Sequence, residues 1–389
     1  MKALITVLAK ELKDLVRDRR TLLIALLMGP VLIPALMVGM TSFMASKLST
    51  QLEETLELPV EGAEHAPNLV AWLESQNVAV EPAPEDVNRA VREQAFDVVL
   101  VIPEDYAEAW RGSRPATVEI VRDASRQDSG IPAQRLERLL EAYSQQVGAL
   151  RLVARGITPT VAQPLLVAER DLSTPESRAA RAMAFLPYFL ILIAFLGGAY
   201  LVIDVTAGER ERQSLEPLLA TPAARGAIMS GKIGAAIVFG LASLLLTLVG
   251  FKIGFQFAPD MGMKLDVSVQ AIAKMLVILL PMLLIGTTLL TLIAASVKSV
   301  KEAQSYMSVL MLLPMVPSIY LMLSPVKDQL WMFATPFLAQ NQMLMLVLRA
   351  EPISAMQWTV YMGAGFGAGL VLWLVAARLY HREKLAISA

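Results

Sequence analysis

Six long apolar stretches without a charged residue dominate this sequence: 21–46, 182–203, 233–251, 275–297, 303–326 and 352–377. Each is close to the ~20 residues that a helix needs to cross the ~30 Å hydrocarbon layer of a membrane. Hydrophobic residues make up 55% of the 389-residue chain, which is more apolar surface than a soluble domain of this size buries. The sequence therefore predicts an α-helical integral membrane protein.

The distribution of Lys and Arg predicts how the membrane helices are oriented. Basic residues cluster in residues 1–20 and again in the C-terminal tail. Because cytoplasmic segments carry the excess of Lys and Arg, both termini are expected in the cytoplasm, which requires an even number of membrane helices. A seventh apolar stretch, 329–350, contains Pro336 and the amides Gln340 and Asn341, and amides that face lipid are costly. We interpret this stretch as an outer re-entrant hairpin and predict six transmembrane helices.

The predicted domain boundaries follow from these stretches. Residues 1–20 place Leu and Ile at helical spacing between Lys and Arg, which predicts a cytoplasmic amphipathic helix held on anionic membrane lipid. Transmembrane helix 1 is predicted at 21–46, and transmembrane helices 2 to 6 within 182–389. The segment between them, 47–181, is polar and lies on the outer face in this topology.

An alternation of strand-like and helix-like hydrophobic runs fills residues 47–181. This β-α-β rhythm predicts an extracytoplasmic α/β domain inserted between the first two transmembrane helices. The predicted strands are 56–60, 78–81, 96–102 and 116–121, and the predicted helices are 67–76, 85–93, 104–111 and 132–155.

Composition argues against several classes of function. The net charge of −1 gives no electrostatic reason to expect a nucleic-acid partner. The chain has no cysteine and two histidines, His65 and His381, which the predicted topology places on opposite sides of the membrane. They cannot form one metal site or one catalytic pair. We therefore expect no catalytic residue and no metal site, and we predict that the chain is not an enzyme.

The loop after transmembrane helix 2, residues 208–232, is the most informative part of the sequence. An apolar stripe that includes Leu215, Leu218 and Leu219 alternates with charged residues. Such a segment forms a short amphipathic helix that lies in the membrane interface, or one that docks its apolar residues into a groove of a cytoplasmic partner. The pattern alone favours the interfacial helix.

The same loop resembles the coupling segment of type-2 ABC exporter permeases, which include sodium-efflux and multidrug-efflux permeases. The matching positions are Glu209, Arg210, Glu211, Arg212, Ser214, Leu215, Glu216, Leu218, Leu219, Thr221, Pro222, Arg225, Gly231 and Lys232. The resemblance implies that the matching residues from Glu209 to Arg225 contact an ATPase subunit, and that residues 1–20 form the "elbow" helix of this family. It also implies that substrate is moved outward.

Three departures from the family pattern affect the coupling segment. Gln213 stands where a glycine is common, Pro217 enters the coupling helix, and Gly226-Ala227 replaces a frequent acidic position. Because proline lacks an amide donor and suits the first turn of a helix, the docking helix is expected to begin near Ser214 or later.

A nucleotide site is not expected in this chain. The sequence Gly226-x4-Gly231-Lys232 imitates a phosphate-binding loop, but Ile233 occupies the position that needs a hydroxyl for Mg²⁺. The resemblance implies that ATP and Mg²⁺ bind to a separate ABC ATPase subunit, and that a second copy of the permease or a paralogue completes the transporter. The large outer domain and the lack of cysteine suggest a bacterial inner membrane as the location.

Polar and soft side chains in the apolar stretches are candidates for a translocation path: Thr287, Thr288, Thr291, Met311, Met315, Gln340 and Asn341. Methionine in such positions more often serves packing than contact with cargo. The residues leave two other functions open, an ATP-independent channel and a membrane anchor that presents the outer domain to an extracytoplasmic partner. They do not identify the cargo.

Overall fold

The computed structural model describes residues 2–19, 22–23, 28–126, 129–163, 165, 168, 170–214, 217, 221–256, 267–323 and 329–380. The chain is mostly helical and divides into two compact units. One unit is formed by Met1–Ser42 together with Leu172–Ala389, and the other by Phe43–Asp171.

The helices follow one another along the chain as α1 (Lys2–Arg17), α2 (Ile33–Glu53), α3 (Pro67–Ser75), α4 (Val87–Arg92), α5 (Tyr106–Arg111), α6 (Gly130–Ala154), α7 (Pro175–Ala182), α8 (Leu186–Leu196), α9 (Ala199–Ile203), α10 (Glu209–Glu211), α11 (Arg225–Gln256), α12 (Val269–Ser296), α13 (Val300–Leu310), α14 (Met315–Leu323), α15 (Leu338–Leu348) and α16 (Ala355–Tyr380). The strands are β1 (Leu56–Glu61), β2 (Val78–Pro82), β3 (Val99–Val101) and β4 (Glu119–Val121). Short π-helical turns occupy Met28–Leu32 and Asp204–Gly208.

Helices that are long and apolar enough to cross a membrane make up most of the first unit. Within the described residues there are five, namely Leu186–Glu211, Arg225–Gln256, Val269–Ser296, Val300–Leu321 and Ala355–Leu379. They coincide with five of the six predicted stretches. The remaining stretch, 21–46, lies partly outside the described residues and includes a shorter apolar helix, Pro30–Met40.

Small residues bring the central membrane helices into close contact. A Cβ atom on Gly198 would lie 2.6 Å from Cγ2 of Thr287 and 3.0 Å from the carbonyl oxygen of Ala236. A Cβ atom on Gly286 would overlap the carbonyl oxygen of Phe195. Only glycine therefore fits where α8 and α9 cross α11 and α12, and the helical run is interrupted at this crossing, between Leu196 and Ala199.

The predicted hairpin region 329–350 contains a 3-10 turn, Leu330–Ala334, followed by α15. The 11 residues of α15 rise about 16 Å, which is well short of the ~30 Å hydrocarbon layer. Gln340 and Asn341 on this helix are buried inside the protein, where the Nδ2 amide of Asn341 donates to Oγ of Ser318 at 3.2 Å.

Helix α1 packs along α11. Its apolar side contributes the buried Val7 and Leu15, while its opposite side carries exposed Lys and Arg. A Cβ atom on Gly231 would lie 2.8 Å from Cβ of Val7 and 2.9 Å from the carbonyl oxygen of Leu4. The absence of a side chain at Gly231 is what lets the two helices approach this closely.

The second unit, Phe43–Asp171, contains a four-stranded sheet in the order β2-β1-β3-β4. β1 pairs in parallel with β2 and with β3, and β4 runs antiparallel to β3. Leu58, Leu100 and Leu136 are fully buried in its core. The strands and helices predicted for this segment are confirmed, and no predicted end differs from the observed one by more than three residues.

An aromatic stack lies beside the sheet of this unit. Trp110 stacks between Tyr106 and Tyr143, and the guanidinium of Arg151 lies 4.5 Å from the centre of the Trp110 ring. Burial raises the pKa of Tyr106 to about 12.

Candidate functional site

Four consecutive charged residues, Glu209 to Arg212, follow the π-helical turn Asp204–Gly208. We call them the ERER segment. They begin the part of the sequence that resembles a coupling segment, and each of the four contacts a different part of the first unit. Interruptions of the regular helix such as this π turn often occur at functional sites.

A left-handed residue ends the helix that carries the ERER segment. Gln213 has φ 56°, its amide donates to the carbonyl of Arg210 at 3.1 Å, and the amide of Ser214 donates to the carbonyl of Glu209 at 2.9 Å. These two bonds define a Schellman motif, in which glycine is the preferred left-handed residue. The requirement for a positive φ explains why the resembling permeases commonly have glycine where this chain has Gln213.

Glu209 is the most buried member of the segment, and it binds two lysines. Lys232 on α11, which is only 1% exposed, donates its Nζ to Oε2 of Glu209 and to the carbonyl oxygen of Val205. Lys10 on α1 donates to Oε1 of Glu209 at 3.2 Å. One carboxylate thereby ties the N-terminal helix and the start of α11 to the ERER segment.

Glu11 completes this charge cluster. It is 2% exposed and accepts a hydrogen bond from Lys10 at 3.1 Å. Burial raises the pKa of Glu11 above its ordinary value, although Lys232 and Lys10 oppose the shift. For Lys10, burial lowers the pKa, but the carboxylates of Glu209 and Glu11 outweigh it and hold the pKa above its ordinary value. The cluster is therefore a set of mutually compensated charges, in which Glu11, Glu209 and Lys232 are buried and Lys10 is half-exposed.

Arg210 reaches the C-terminal end of α12. Its Nη1 donates to the carbonyl oxygens of Ala295 at 3.3 Å and Val297 at 3.1 Å. The last carbonyls of a helix have no partner within the helix and carry the negative end of its dipole. A guanidinium satisfies both requirements at once, so Arg210 fixes the segment to α12.

Glu211 and Arg212 make the two exposed contacts. Oε2 of Glu211 accepts a hydrogen bond from the amide of Val300, the first residue of α13, at 3.0 Å, where the positive end of the helix dipole favours a carboxylate. Nη2 of Arg212 donates to Oδ1 of Asp204 at 2.8 Å. A Cβ atom on Gly208 would lie 3.0 Å from that Oδ1 and 3.1 Å from that Nη2, so a side chain at this position would crowd the ion pair.

The other predicted coupling residues lie farther along the loop. Ser214 donates its hydroxyl to the carbonyl oxygen of Glu209 at 3.2 Å. Thr221 and Pro222 are exposed, and Arg225 begins α11. Leu215, Glu216, Leu218 and Leu219 lie outside the described residues. The structure therefore brings together Glu209, Arg210, Glu211, Arg212 and Ser214.

The predicted path residues do not lie together on one surface. Thr287, Thr288 and Thr291 are fully buried, and each hydroxyl donates to a backbone carbonyl one turn earlier in α12 at 2.7 Å. Gln340 and Asn341 are buried on α15, whereas Met311 and Met315 are exposed.

Met311 lines a cavity of about 600 Å³ between the α8–α9 run and α13. We call it the Asp204 cavity. Its wall includes Leu196, Tyr200, Ile203 and Met307. Asp204 is the only charged residue among the described residues that line it, and its carboxylate is the one held by Arg212. No group of three or more acidic or histidine side chains suited to a metal ion occurs in the described part of the chain.

Several long apolar helices, which the ERER segment joins at their ends, make this chain a multi-pass membrane protein. Residues 19–377 match the model of the ABC-2 family transporter proteins, so the chain belongs to this family and is the permease subunit of an ABC transporter. The chain is also 30% identical over 346 residues to the ABC transporter permease protein NatB of Bacillus subtilis (strain 168), and the alignment covers 85% of both chains. Members of this family are permeases and not enzymes themselves, and they imply an ABC ATPase partner.

Sequence reasoning missed part of this arrangement. Lys10, Glu11 and Asp204 received no functional role from their sequence context, and Lys232 entered only as a matching position of the resemblance. The available signal was charge placed beside apolar residues at the ends of membrane helices. Such placement predicts that a side chain extends to the interface, and it does not reveal a partner more than 20 residues away.

Proposed function

We propose that this permease subunit exports a substrate, using ATP hydrolysed on a separate ABC ATPase subunit that docks onto residues 208–232. ATP and Mg²⁺ bind to that partner, and the present chain contributes no cofactor. The observation that carries this proposal is the set of contacts made by the ERER segment. A displacement of the loop that begins at Gln213 acts on α1, α11, α12 and α13 through three adjacent side chains, those of Glu209, Arg210 and Glu211.

The burial of these contacts supports the transmission of a movement from the loop to the helices. Glu209 and Arg210 are held by buried or half-buried partners, and breaking a buried charge pair leaves an uncompensated charge. The segment therefore moves together with the helix ends that it binds. Two global states whose balance depends on nucleotide are the minimum for such coupling.

The proposed topology has six transmembrane helices, with the first at 21–46 and both termini in the cytoplasm. Support comes from the basic N-terminal helix α1, which suits a surface of anionic lipid, and from α15, which is too short to cross alone. In this topology 329–350 is an outer hairpin, and the α/β unit is extracytoplasmic. A bacterial inner membrane is the proposed location.

A second copy of the permease, or a paralogue, completes the proposed transporter. The run from α13 to α14 supports this assembly, because its apolar residues Val309 and Val316 are 64% and 68% exposed. A second permease packed here would enclose a path whose wall includes Met311 and Met315. The threonines of α12 and the amides of α15 remain predicted path residues for another state of the transport cycle.

The test is co-purification from native membranes in a mild detergent. The wild-type chain is expected to bring down a soluble ATPase subunit in stoichiometric amount, with ATP hydrolysis. The double variant Leu218→Asp/Leu219→Asp should insert normally and lose both the subunit and the hydrolysis, because charged residues cannot enter an apolar groove.

A matched control uses Leu150→Asp/Val153→Asp on α6. Both side chains are exposed, at 62% and 58%, and the proposed topology places them on the other side of the membrane. This variant should retain the ATPase. Retention of full ATPase coupling by the Leu218/Leu219 variant, or recovery of the wild-type chain alone in several mild detergents, would refute the proposal.

A further inference from the structure

The Asp204 cavity is built from an interrupted helix. Helix α9 has only five residues and lies between the break at Gly197–Gly198 and the π turn Asp204–Gly208. Tyr200 and Ile203 on this short helix line the cavity, and Asp204 lies directly after it. Opposite them stands α13, whose first residue, Val300, also lines the cavity. The cavity thus lies between elements that the ERER segment contacts.

The chemistry of the cavity wall selects a class of ligand. Aliphatic side chains, the thioethers of Met307 and Met311 and the rings of Tyr200 and Phe239 line the cavity together with a single carboxylate, that of Asp204. Aromatic faces and soft sulfur atoms attract an organic cation, and a single carboxylate matches a single positive charge. A volume of about 600 Å³ suits a drug-sized molecule.

A small inorganic cation fits this cavity poorly. Ions such as Ca²⁺ need six to eight oxygen ligands, typically from several carboxylates. The described residues that line the cavity offer one carboxylate, together with the amide of Gln304 and the hydroxyls of Ser243, Ser308 and Tyr200. Most of the remaining wall is apolar, and contact with an apolar wall contributes no binding free energy to an inorganic ion.

The carboxylate of Asp204 already has a cationic partner. Arg212 donates to it at 2.8 Å, and the side chains of Asp204 and Arg212 are 43% and 60% exposed. Pairs this exposed are weak because water competes for both charges. A cation that also buries its apolar body in the cavity has an additional source of affinity that Arg212 lacks.

We propose that the Asp204 cavity binds a lipophilic monovalent cation, and that the bound cation replaces Arg212 as the partner of Asp204. The replacement releases Arg212 while Glu209 and Arg210 keep their contacts. The last residue of the ERER segment, Arg212, then loses its contact with Asp204 only when the cavity is occupied. Binding to the cavity stands by itself, whereas the signal to an ATPase rests on the proposed function.

Binding is tested on the purified permease without any partner, with two probes of the same shape and opposite charge. Tetraphenylphosphonium should bind saturably in a calorimetric titration, and tetraphenylborate should not. Asp204→Asn should weaken tetraphenylphosphonium binding about tenfold. Arg212→Gln should strengthen it by up to about fivefold, since an internal competitor of the strength of an exposed ion pair is removed.

The control is Asp97→Asn in the α/β unit. Asp97 is 47% exposed and lies 3.8 Å from Arg126, so it matches Asp204 in exposure and in type of partner, and its substitution should leave binding unchanged. Thermal unfolding of each variant verifies the fold. Equal binding of the two probes, an Asp204→Asn affinity equal to that of Asp97→Asn, or weaker binding by Arg212→Gln would overturn the inference.

A second measurement separates this inference from the proposed function. In a complex with the ATPase, tetraphenylphosphonium should stimulate hydrolysis by the wild-type complex and add nothing to the Arg212→Gln complex, where the arginine contact is already absent. If no ATPase associates with the chain, the proposed function fails, and the binding titrations still decide whether the cavity takes a cation. If the ATPase associates and the probe binds without changing hydrolysis, the replacement of Arg212 is refuted.

Discussion

Replacing Lys232 with methionine tests whether the buried charge cluster holds the ERER segment in place. Lys232→Met keeps the length and much of the volume of the side chain but removes its charge and both of its hydrogen bonds. The carbonyl oxygen of Val205 loses a buried donor, and Glu209 loses the less exposed of its two lysines. Breaking a buried ion pair costs about 3–5 kcal/mol. Because Lys10 still neutralises Glu209 at 3.2 Å, we expect the lower end, about 3 kcal/mol.

The measurement is the free energy of unfolding by denaturing detergent in mixed micelles, followed by tryptophan fluorescence. An exposed pair serves as the reference. Arg89 and Glu93 on α4 are 2.8 Å apart with side chains 71% and 61% exposed, so Arg89→Met should cost at most about 1 kcal/mol.

A double variant isolates the electrostatic part of the loss. Lys232→Met combined with Glu209→Gln removes both buried charges, so it should be less destabilised than the sum of the two single variants. If Lys232→Met costs no more than Arg89→Met, or if the two losses simply add, the cluster does not anchor the segment and the reasoning is wrong.

Two further predictions use the same titration. Gln213→Gly should stabilise the protein by about 1 kcal/mol, because glycine adopts the left-handed conformation without the penalty of a side chain; Gln76→Gly, at φ −100°, should show no such gain. For Glu11, whose pKa in the folded protein lies above its ordinary value of 4.5, folding favours the protonated form, so its contribution is full below pH 4.5 and is lost as the pH rises through the folded value. Glu11→Gln should remove that decline, and an unchanged pH profile would contradict the assigned shift.

The α/β unit was predictable because its signals are local. Alternation and short apolar runs identify strands and helices from a few neighbouring residues. The third strand shows the limit of this approach. The apolar run predicted a strand over 96–102, whereas β3 covers only Val99–Val101. These three residues are the ones that pair with the short antiparallel β4.

The charge cluster could not be predicted in the same way. Glu209 and Lys10 are 199 positions apart in the sequence, and no period in the sequence encodes such a distance. Their contact depends on the close packing of α1 on α11, which in turn depends on a missing side chain at Gly231. A single glycine in an apolar helix is compatible with many packing arrangements, so only the folded structure identifies the partner.

The threonines of α12 illustrate a different limit. Hydroxyl groups in an apolar stretch suggest contact with cargo, because unpaired polar groups are costly in lipid. In the structure the hydroxyls of Thr287, Thr288 and Thr291 bond to carbonyls of their own helix, as Ser and Thr readily do. The sequence does not distinguish a hydroxyl that bonds to its own helix from one that contacts cargo, so the assignment of these threonines to a path stays a prediction.

The order of the charges in the ERER segment separates anchorage from response. The first two, Glu209 and Arg210, contact buried groups, and those contacts cannot be exchanged with a ligand from solution without a large loss of free energy. The last two, Glu211 and Arg212, are exposed and bind partners beside the Asp204 cavity. Only exposed contacts are weak enough for a bound molecule to displace. If the order were reversed, the weak, exposed contacts would lie next to α9. Their loss would then release the membrane helix, and the loop that begins at Gln213 would stay attached. In the observed order, a cation bound as proposed would change the part of the segment nearest the loop while the membrane end stays attached, which is the arrangement that the proposed signal to an ATPase requires.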